Sequence, residues 1–233
     1  MANTRFCPNL NGGLHLGHLF TLLVNEHIAH STGGKLSVRF DDTCYVSTRM
    51  GIKMDTILQG QLEDIDWLGI DVDKFVLQSQ LIYEARDILR DSGFKYPAED
   101  EAKGYKLATS LRQDNQFLMY PYCSRQTPER VIMDHMMDIT HLIRGEDFLT
   151  EVSYYGYICE MLDYPIPEFW CLPRLASGRG DISKTNGGYT ITEFRANGYE
   201  PEELKDKLAS ACLSNPPNGW NFYNIKHNPV WGA

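Results

Sequence analysis

Two periods of apolar and polar residues alternate along the first half of the chain. Leu36, Val38 and Phe40 alternate with Ser37 and Arg39, the period of a strand, which runs out at Asp41-Asp42. Met54, Ile57, Leu58, Leu62, Ile65 and Leu68 recur at helical spacing, and Gly69 follows as a stop. Upstream, Arg5-Phe6-Cys7 reads as the end of a first strand and Asn11-Gly12-Gly13 as a turn. Leu14 to His30 then reads as a helix, closed by Ser31-Thr32-Gly33-Gly34. Phe75 to Leu77 is a short strand, and Leu81 to Arg90 a helix with Ala85, Ile88 and Leu89 inward and Gly93 after it. Strands alternating with helices predict a parallel α/β sheet.

From Lys95 to Glu129 the periodicity fades, as in an insertion. It returns with a strand at Thr140 to Arg144, a helix at Glu151 to Leu162 and a strand at Phe169 to Leu175. A Gly-rich loop, Ser177 to Gly188, precedes two short helices near Thr190 to Ala196 and Pro201 to Cys212. The tail, Ser214 to Ala233, holds Pro, Asn and Trp with little periodicity, and no element is assigned to it.

With 233 residues the chain can bury a sizeable core, as one domain or one domain with an insertion. Apolar residues at 42% and charged residues at 23% are ordinary for a soluble globular protein. No apolar run is long enough to span a bilayer, and Met1-Ala2-Asn3-Thr4-Arg5 lacks a cleavable targeting pattern. The six cysteines (Cys7, Cys44, Cys123, Cys159, Cys171, Cys212) contain no CxxC pair, which fits reduced thiols and a cytoplasmic location. The net charge of −9 argues against broad neutralisation of nucleic-acid phosphates. A tRNA partner would have to meet a local positive surface, and its binding would be weak and salt-sensitive.

The strongest chemical signal is Arg5-Phe6-Cys7-Pro8-Asn9-Leu10-Asn11-Gly12-Gly13-Leu14-His15-Leu16-Gly17-His18. A strand running through a Gly-rich turn into a helix start is a site for anionic phosphate. His15 and His18 share one helix face, and Gly17 between them leaves room for a ligand against backbone. Two imidazoles there can donate to a phosphate whose charge grows in a transition state. A bare HxGH is equally consistent with two ordinary histidines beside a turn.

The same stretch resembles the signature of class I aminoacyl-tRNA synthetases, in particular the glutamyl pattern RFxPxPxGxLHxGH. Further matches occur in order: Arg39-Phe40-Asp41-Asp42-Thr43, Asp66-Trp67-Leu68-Gly69-Ile70, and Asp138 to Asp147, which is close to ITHVIRGED. Tyr164 to Phe169 and Leu172-Pro173 resemble the strand leading to the second signature, and Gly180-Asp181-Ile182-Ser183-Lys184 resembles the KMSKS loop. Glu193-Phe194-Arg195 and Gly198 to Glu202 resemble the family's segment after that loop. The resemblance covers nearly all of the chain to about residue 210.

The resemblance implies an α/β fold: a Rossmann-type parallel sheet with a short insertion and a small helical C-terminal part. The implied division is 1–94 for the first half of the catalytic domain, 95–130 for an acceptor-binding-like insertion, 131–188 for the second half with the KMSKS-like loop, and 189–233 for the C-terminal part. It also implies ATP-dependent activation, with Mg2+, of glutamate or glutamine as an adenylate, and then transfer to tRNA through the acceptor end. His15, His18 and Lys184 are the implied catalytic residues. Gly17, Asp147 (on ribose) and Ser183 join them around ATP. For the amino acid, Arg5 and Arg144 match arginines that bind carboxylates, a pairing that suits bidentate guanidinium. Asp41 matches an acid for the α-amino group, and Asn9, Gln126 and Arg130 complete the pocket. For Arg5, Asp41 and Arg144 the competing reading is a structural ion pair; ligands gather at the carboxyl edge of such a sheet, which favours function.

Several positions depart from the family. Asp181 stands where the first KMSKS lysine belongs, which weakens stabilisation of pyrophosphate. Gln126 and Arg130 fall where glutamyl enzymes usually carry tyrosine and asparagine, and Asn9 replaces a common serine. RFDDT resembles glutaminyl and archaeal-type enzymes whereas IRGED resembles bacterial glutamyl enzymes, so both substrates stay open. The short insertion and the lack of a match to an anticodon-binding domain resemble glutamyl-queuosine tRNA(Asp) synthetase. Cys123 alone in that insertion makes a zinc site unexpected. An adenylating domain serving a small molecule or carrier, and a degenerate ATP- or tRNA-binding relative without turnover, are the other readings.

Overall fold

The computed structural model describes residues 1–43, 53–94, 127–145, 148, 151–172, 176–177, 180–181 and 190–214. Five strands form one parallel sheet: β1 (Thr4–Phe6), β2 (Leu36–Phe40), β3 (Lys74–Leu77), β4 (His141–Gly145) and β5 (Glu168–Leu172). Their spatial order is β3-β2-β1-β4-β5, with Arg5 opposite Ser37, Phe6 opposite Val38, and Thr4 opposite both Leu36 and His141. The order reverses between β1 and β4, so the crevice for a ligand opens at their carboxyl ends. Cys7-Pro8-Asn9 extend from β1 there, and β4 closes on Arg144-Gly145.

Helices α1 (Leu16–Ser31), α2 (Met54–Trp67), α3 (Ser79–Asp91), α4 (Thr127–Met136) and α5 (Val152–Met161) lie between the strands in sequence. Strand alternation sorts the side chains onto two faces. Phe6, Leu36, Val38, Phe40, Ile143 and Leu172 pack with Leu19, Leu22 and Ile28 of α1 and Ile57 and Ile65 of α2. Leu142, Phe169 and Cys171 face the other way, against Val152, Tyr155 and Ile158 of α5. Ile82 and Ala85 of α3 meet Ile132 and Met133 of α4. Each aliphatic side chain fully withdrawn from water contributes about 1.5–3 kcal/mol, so the two layers fix the sheet edge.

The alternation expected for β2 is only half of its environment. All five of its residues are buried, including Ser37 and Arg39, because a strand inside a parallel sheet is covered on both faces. Two helices come after the Gly-rich stretch, α6 (Ile191–Ala196) and α7 (Pro201–Ser214). They return to the first core through Ile191, Leu204 and Leu208. Within the Gly-rich stretch, β6 (Ala176–Ser177) and β7 (Gly180–Asp181) pair antiparallel. α4 opens at Thr127, inside the stretch expected as an insertion, and carries Arg130.

Candidate active site

The helix after β1 begins on a pair of histidines. His15 is the N-cap of α1, in extended conformation, and its Nδ1 accepts from the Gly17 backbone N–H at 3.1 Å. The His15 backbone N–H in turn donates to His18 Nδ1 at 3.3 Å, and the two rings stack with centroids 3.8 Å apart. This is the reciprocal arrangement of a capping box, built from imidazoles. A nitrogen that accepts carries no proton, so in the neutral rings the hydrogen-bond network assigns the proton to Nε2 of both. The first turn of α1 holds no acidic residue, and its amide dipoles favour an anion. A Cβ at Gly17 would lie 3.1 Å from His15 Cε1 and 3.2 Å from its Nδ1, so glycine is what lets the ring fold back.

One helix holds the two ends of this region together. The buried Gln61 of α2 donates through Nε2 to the carbonyls of Asn9 at 3.0 Å and Gly12 at 2.7 Å, fixing the turn before α1. One turn further, the buried Asp64 accepts from Thr192 Oγ1 at 3.1 and 2.9 Å and lies 3.7 Å from Arg195 of α6. Burial raises the Asp64 pKa, and the Thr192 hydrogen bond and the Arg195 charge oppose that rise. The backbone of Ile191 also donates to Leu14 O at 2.8 Å, and Thr190 lies against Gly13. The start of α6, where the Gly-rich loop ends, is therefore docked on the turn that carries the histidines.

At the end of β2, Asp41 and Asp42 diverge. Asp42 is taken up by Ser79, whose backbone N–H and hydroxyl donate to its two oxygens. Asp41 lies beside the loop after β1, where its backbone N–H donates to Pro8 O at 2.9 Å and its carbonyl accepts from Leu10 N at 3.3 Å. Its carboxylate is held through one oxygen by Thr43 and Gln78.

On the other face of the sheet, Arg5 and Arg39 converge on one carboxylate. Arg5 donates from Nε and Nη2 to the two oxygens of Asp134, both at 2.9 Å, and Arg39 Nη1 donates to Oδ1 at 2.7 Å. Tyr155 adds its hydroxyl at 2.9 Å to Oδ2. Each of these ionic side chains is no more than 2% exposed. Burial alone would neutralise such groups, but the mutual attraction and hydrogen bonds win: Asp134 is held well below the usual carboxylate range, and both guanidinium pKa values rise. Burial, and then the field of Asp134, pushes the Cys159 thiol up to about 12. Two cations and one anion leave one positive charge in excess, and Arg5 Nη1 and Arg39 Nε are buried without a hydrogen-bond partner among the described residues.

Of the residues expected at the amino-acid subsite, Arg5 thus sits in the buried ion cluster, and Asp41 and Asn9 adjoin the β1–β2 edge, where they form an isolated bridge. Arg144 is half-buried on β4 with its guanidinium 4.9 Å from the centre of the Phe148 ring, a cation–π contact. Arg130 lies 3.9 Å from Glu151, the cap residue of α5. Gln126, Asp147, Ser183 and Lys184 lie outside the described residues, as does the side chain of Asp181. Asp134, Gln61 and Gln78 are the site-forming residues that sequence reasoning missed. The available signal was a charged or amide side chain inside an otherwise apolar helical stretch, as with Asp134 after Val131-Ile132-Met133. Among the described residues no cluster of three or more His, Cys, Asp or Glu is arranged to hold a metal ion, and no helix is long and apolar enough to cross a membrane.

Comparison with known proteins gives a consistent answer. The family model for the catalytic domain of class I tRNA synthetases (E and Q) matches residues 1–102 and 114–217. A glutamate–tRNA ligase of Aquifex aeolicus is 26% identical over 96% of this chain and 60% of its own length. Glutamate–tRNA ligase 1 of Rubrobacter xylanophilus is 29% identical over 97% of this chain and 57% of its own length. The chain therefore spans only about 60% of the length of these relatives. A solved glutamate tRNA ligase of Elizabethkingia meningosepticum, in complex with its amino acid, superposes with a TM-score of 0.68 at 19% identity, covering 98% of this chain and 65% of that one.

Proposed function

Because the chain belongs to the class I tRNA synthetases of the glutamate and glutamine type, through their catalytic domain, we propose that it activates glutamate with ATP and passes the glutamyl group to tRNA. The observation that carries this reading is the stacked pair His15 and His18 at the start of α1, each with Nδ1 accepting from a backbone N–H beside a helix N-terminus. An α-carboxylate oxygen of the amino acid attacks the α-phosphorus of ATP, supplied as its magnesium complex. The bond to the bridging oxygen breaks, and pyrophosphate leaves with the electron pair. The two imidazoles and the α1 amides stabilise the growing negative charge, and Lys184 is assigned to the departing pyrophosphate. Gly17 lets the nucleotide lie against backbone, and Ser183 and Asp147 are assigned to ATP. Asp41 receives the α-ammonium group, with Asn9, Gln126 and Arg130 around the pocket.

Glutamate is favoured over glutamine by charge. The Arg5–Arg39–Asp134 cluster carries one cation in excess and, among the described residues, a donor on Arg5 without a hydrogen-bond partner, and Arg144 is a further half-buried cation at the end of β4. A side-chain carboxylate compensates that excess; an amide does not. The burial of Arg5 also supports a second reading, a nucleotide-binding relative without turnover, because the side chain is 1% exposed as it stands. Exchange of labelled pyrophosphate into ATP, with glutamate or glutamine and with or without total tRNA, separates them. Glutamate-dependent exchange that is lost in His18→Ala supports the ligase. Absence of exchange in every arm, with ATP still bound, leaves the second reading. Dependence on tRNA distinguishes an aminoacylating enzyme from one that modifies a tRNA base, since glutamyl enzymes generally need tRNA for activation and glutamyl-queuosine enzymes do not.

A further inference from the structure

Asp41 is held by a residue that no sequence motif singled out. Gln78 stands between β3 and α3, 3% exposed, and its backbone is fully used: its N–H donates to Phe40 O at 2.9 Å, and its carbonyl accepts from Leu81 and Ile82, both at 3.0 Å. Its Nε2 donates to Asp41 Oδ1 at 2.9 Å and to Thr43 Oγ1 at 2.8 Å. Thr43 closes the ring, donating to the same Oδ1 from its backbone N–H at 3.1 Å and its hydroxyl at 2.8 Å.

Three features of this ring point the same way. A carboxylate accepts only, so the Gln78 amide must turn its nitrogen toward Asp41; the opposite orientation would set oxygen against oxygen. That orientation leaves Gln78 Oε1 buried with no hydrogen-bond partner among the described residues. A buried orphan acceptor is unfavourable, and its persistence marks a position held for something other than local stability. All three hydrogen bonds fall on Oδ1 of Asp41, and among the described residues none falls on Oδ2. The neighbouring Asp42 receives a Ser79 donor on each of its oxygens, so of the two acids Asp41 is the one with an oxygen that no donor reaches among the described residues.

We infer that Gln78 is a positioning residue for amino-acid binding: with Thr43 it locks one oxygen of Asp41 so that the other is fixed to receive the α-ammonium group of the substrate. The inference rests on the reading of this edge as the amino-acid site. It assigns Gln78 to recognition of the ammonium group, separate from the phosphate chemistry at His15 and His18.

The test is pyrophosphate exchange and calorimetric glutamate binding by wild type, Gln78→Leu, Thr43→Val and Thr43→Ser. In Gln78→Leu the glutamate KM and Kd are expected to rise about ten-fold, the factor that one hydrogen bond to a charged group carries, with kcat and the KM for ATP unchanged. Discrimination between glutamate and 2-hydroxyglutarate, which lacks the ammonium group, should fall by a similar factor. Thr43→Val, which keeps the backbone N–H on Asp41 Oδ1, should show a smaller rise, and Thr43→Ser, which keeps the hydroxyl, should restore wild-type values. If wild type exchanges or binds glutamate and both Gln78→Leu and Thr43→Val match it, the inference is overturned and the functional reading stands. A fall in kcat together with both KM values, or unaltered discrimination against the hydroxy acid, also overturns it, because that is general damage. Wild type that neither exchanges nor binds glutamate overturns the functional reading and this assignment together.

Discussion

Changing Asp134 to Asn removes one negative charge and little else, and the structure sets what that should cost. Four hydrogen bonds reach this carboxylate, from Arg5 Nε and Nη2, Arg39 Nη1 and the Tyr155 hydroxyl, at 2.7 to 2.9 Å. An amide can keep the bonds to one oxygen, from Arg5 Nε and Arg39, but it turns a donor toward Arg5 Nη2 and the tyrosine hydroxyl. Two buried guanidinium groups would then repel each other with nothing between them. Breaking a buried ion pair from one side costs about 3–5 kcal/mol, well above the ~0–1 kcal/mol of a surface pair. At about 2–4 °C per kcal/mol for a chain of this size, the melting temperature should fall by roughly 6–20 °C.

The sign of the pH dependence comes from the direction of the Asp134 shift. Its folded pKa is depressed, so its stabilisation is fully present above the unfolded value of about 3.9 and is lost as pH falls through the lower folded value. Urea midpoints for wild type and Asp134→Asn should therefore differ by a constant amount from pH 8 to about pH 5 and converge only in stronger acid. Adding Arg39→Met to Asp134→Asn removes one uncompensated cation, so the double variant should be more stable than the sum of the single losses, with a coupling of about 1–3 kcal/mol. A fall of less than about 3 °C in Asp134→Asn, or strictly additive losses, would refute the view that this cluster is a coupled buried network.

Two further outcomes rest on close approaches of backbone. A Cβ at Gly34 would lie 2.1 Å from the Ala2 carbonyl oxygen, which is main chain, so Gly34→Ala should lose about 3 kcal/mol in urea unfolding; an unchanged midpoint would contradict that contact. Gly17→Ala instead presses on the His15 ring, so glutamate-dependent exchange should fall about 100-fold while the melting temperature holds, and retained exchange would detach the histidine arrangement from catalysis.

Local chemistry made much of this fold readable. The helix closed by Gly69 ends at Trp67 with Gly69 at φ +64°, the backbone conformation glycine adopts most readily. Most helix and strand ends differ from the expected ones by a residue or two, within the usual fraying of termini, whereas β5 ends at Leu172, three residues before the expected Leu175. Among the helices, α4 stayed hidden. Its sequence Thr127-Pro128-Glu129-Arg130-Val131-Ile132-Met133-Asp134-His135-Met136 is buried on several sides and carries Glu129 and Asp134 inward, so it shows no single apolar stripe. The partners that make Asp134 tolerable, Arg5 and Arg39, lie 129 and 95 residues away in sequence, beyond the reach of any local period. The same holds for Arg5 itself: its motif announces a carboxylate-binding arginine, and only the packed structure adds that two of its donors already hold Asp134. The docking of α6 on α2 through Thr192 and Asp64 was likewise a long-range contact between two residues of no visible chemistry.

The claim that this sheet edge forms an aminoacyl adenylate is tested most directly by trapping that intermediate. Protein, magnesium ATP and labelled glutamate are incubated with hydroxylamine, with and without total tRNA. Attack of hydroxylamine on the activated carbonyl releases AMP and yields the α-hydroxamate of glutamate. The expected result is ATP-dependent α-hydroxamate above the level formed by His18→Ala, and little from glutamine. No α-hydroxamate beyond the ATP-free control in either arm, from protein that still binds ATP, would contradict the account.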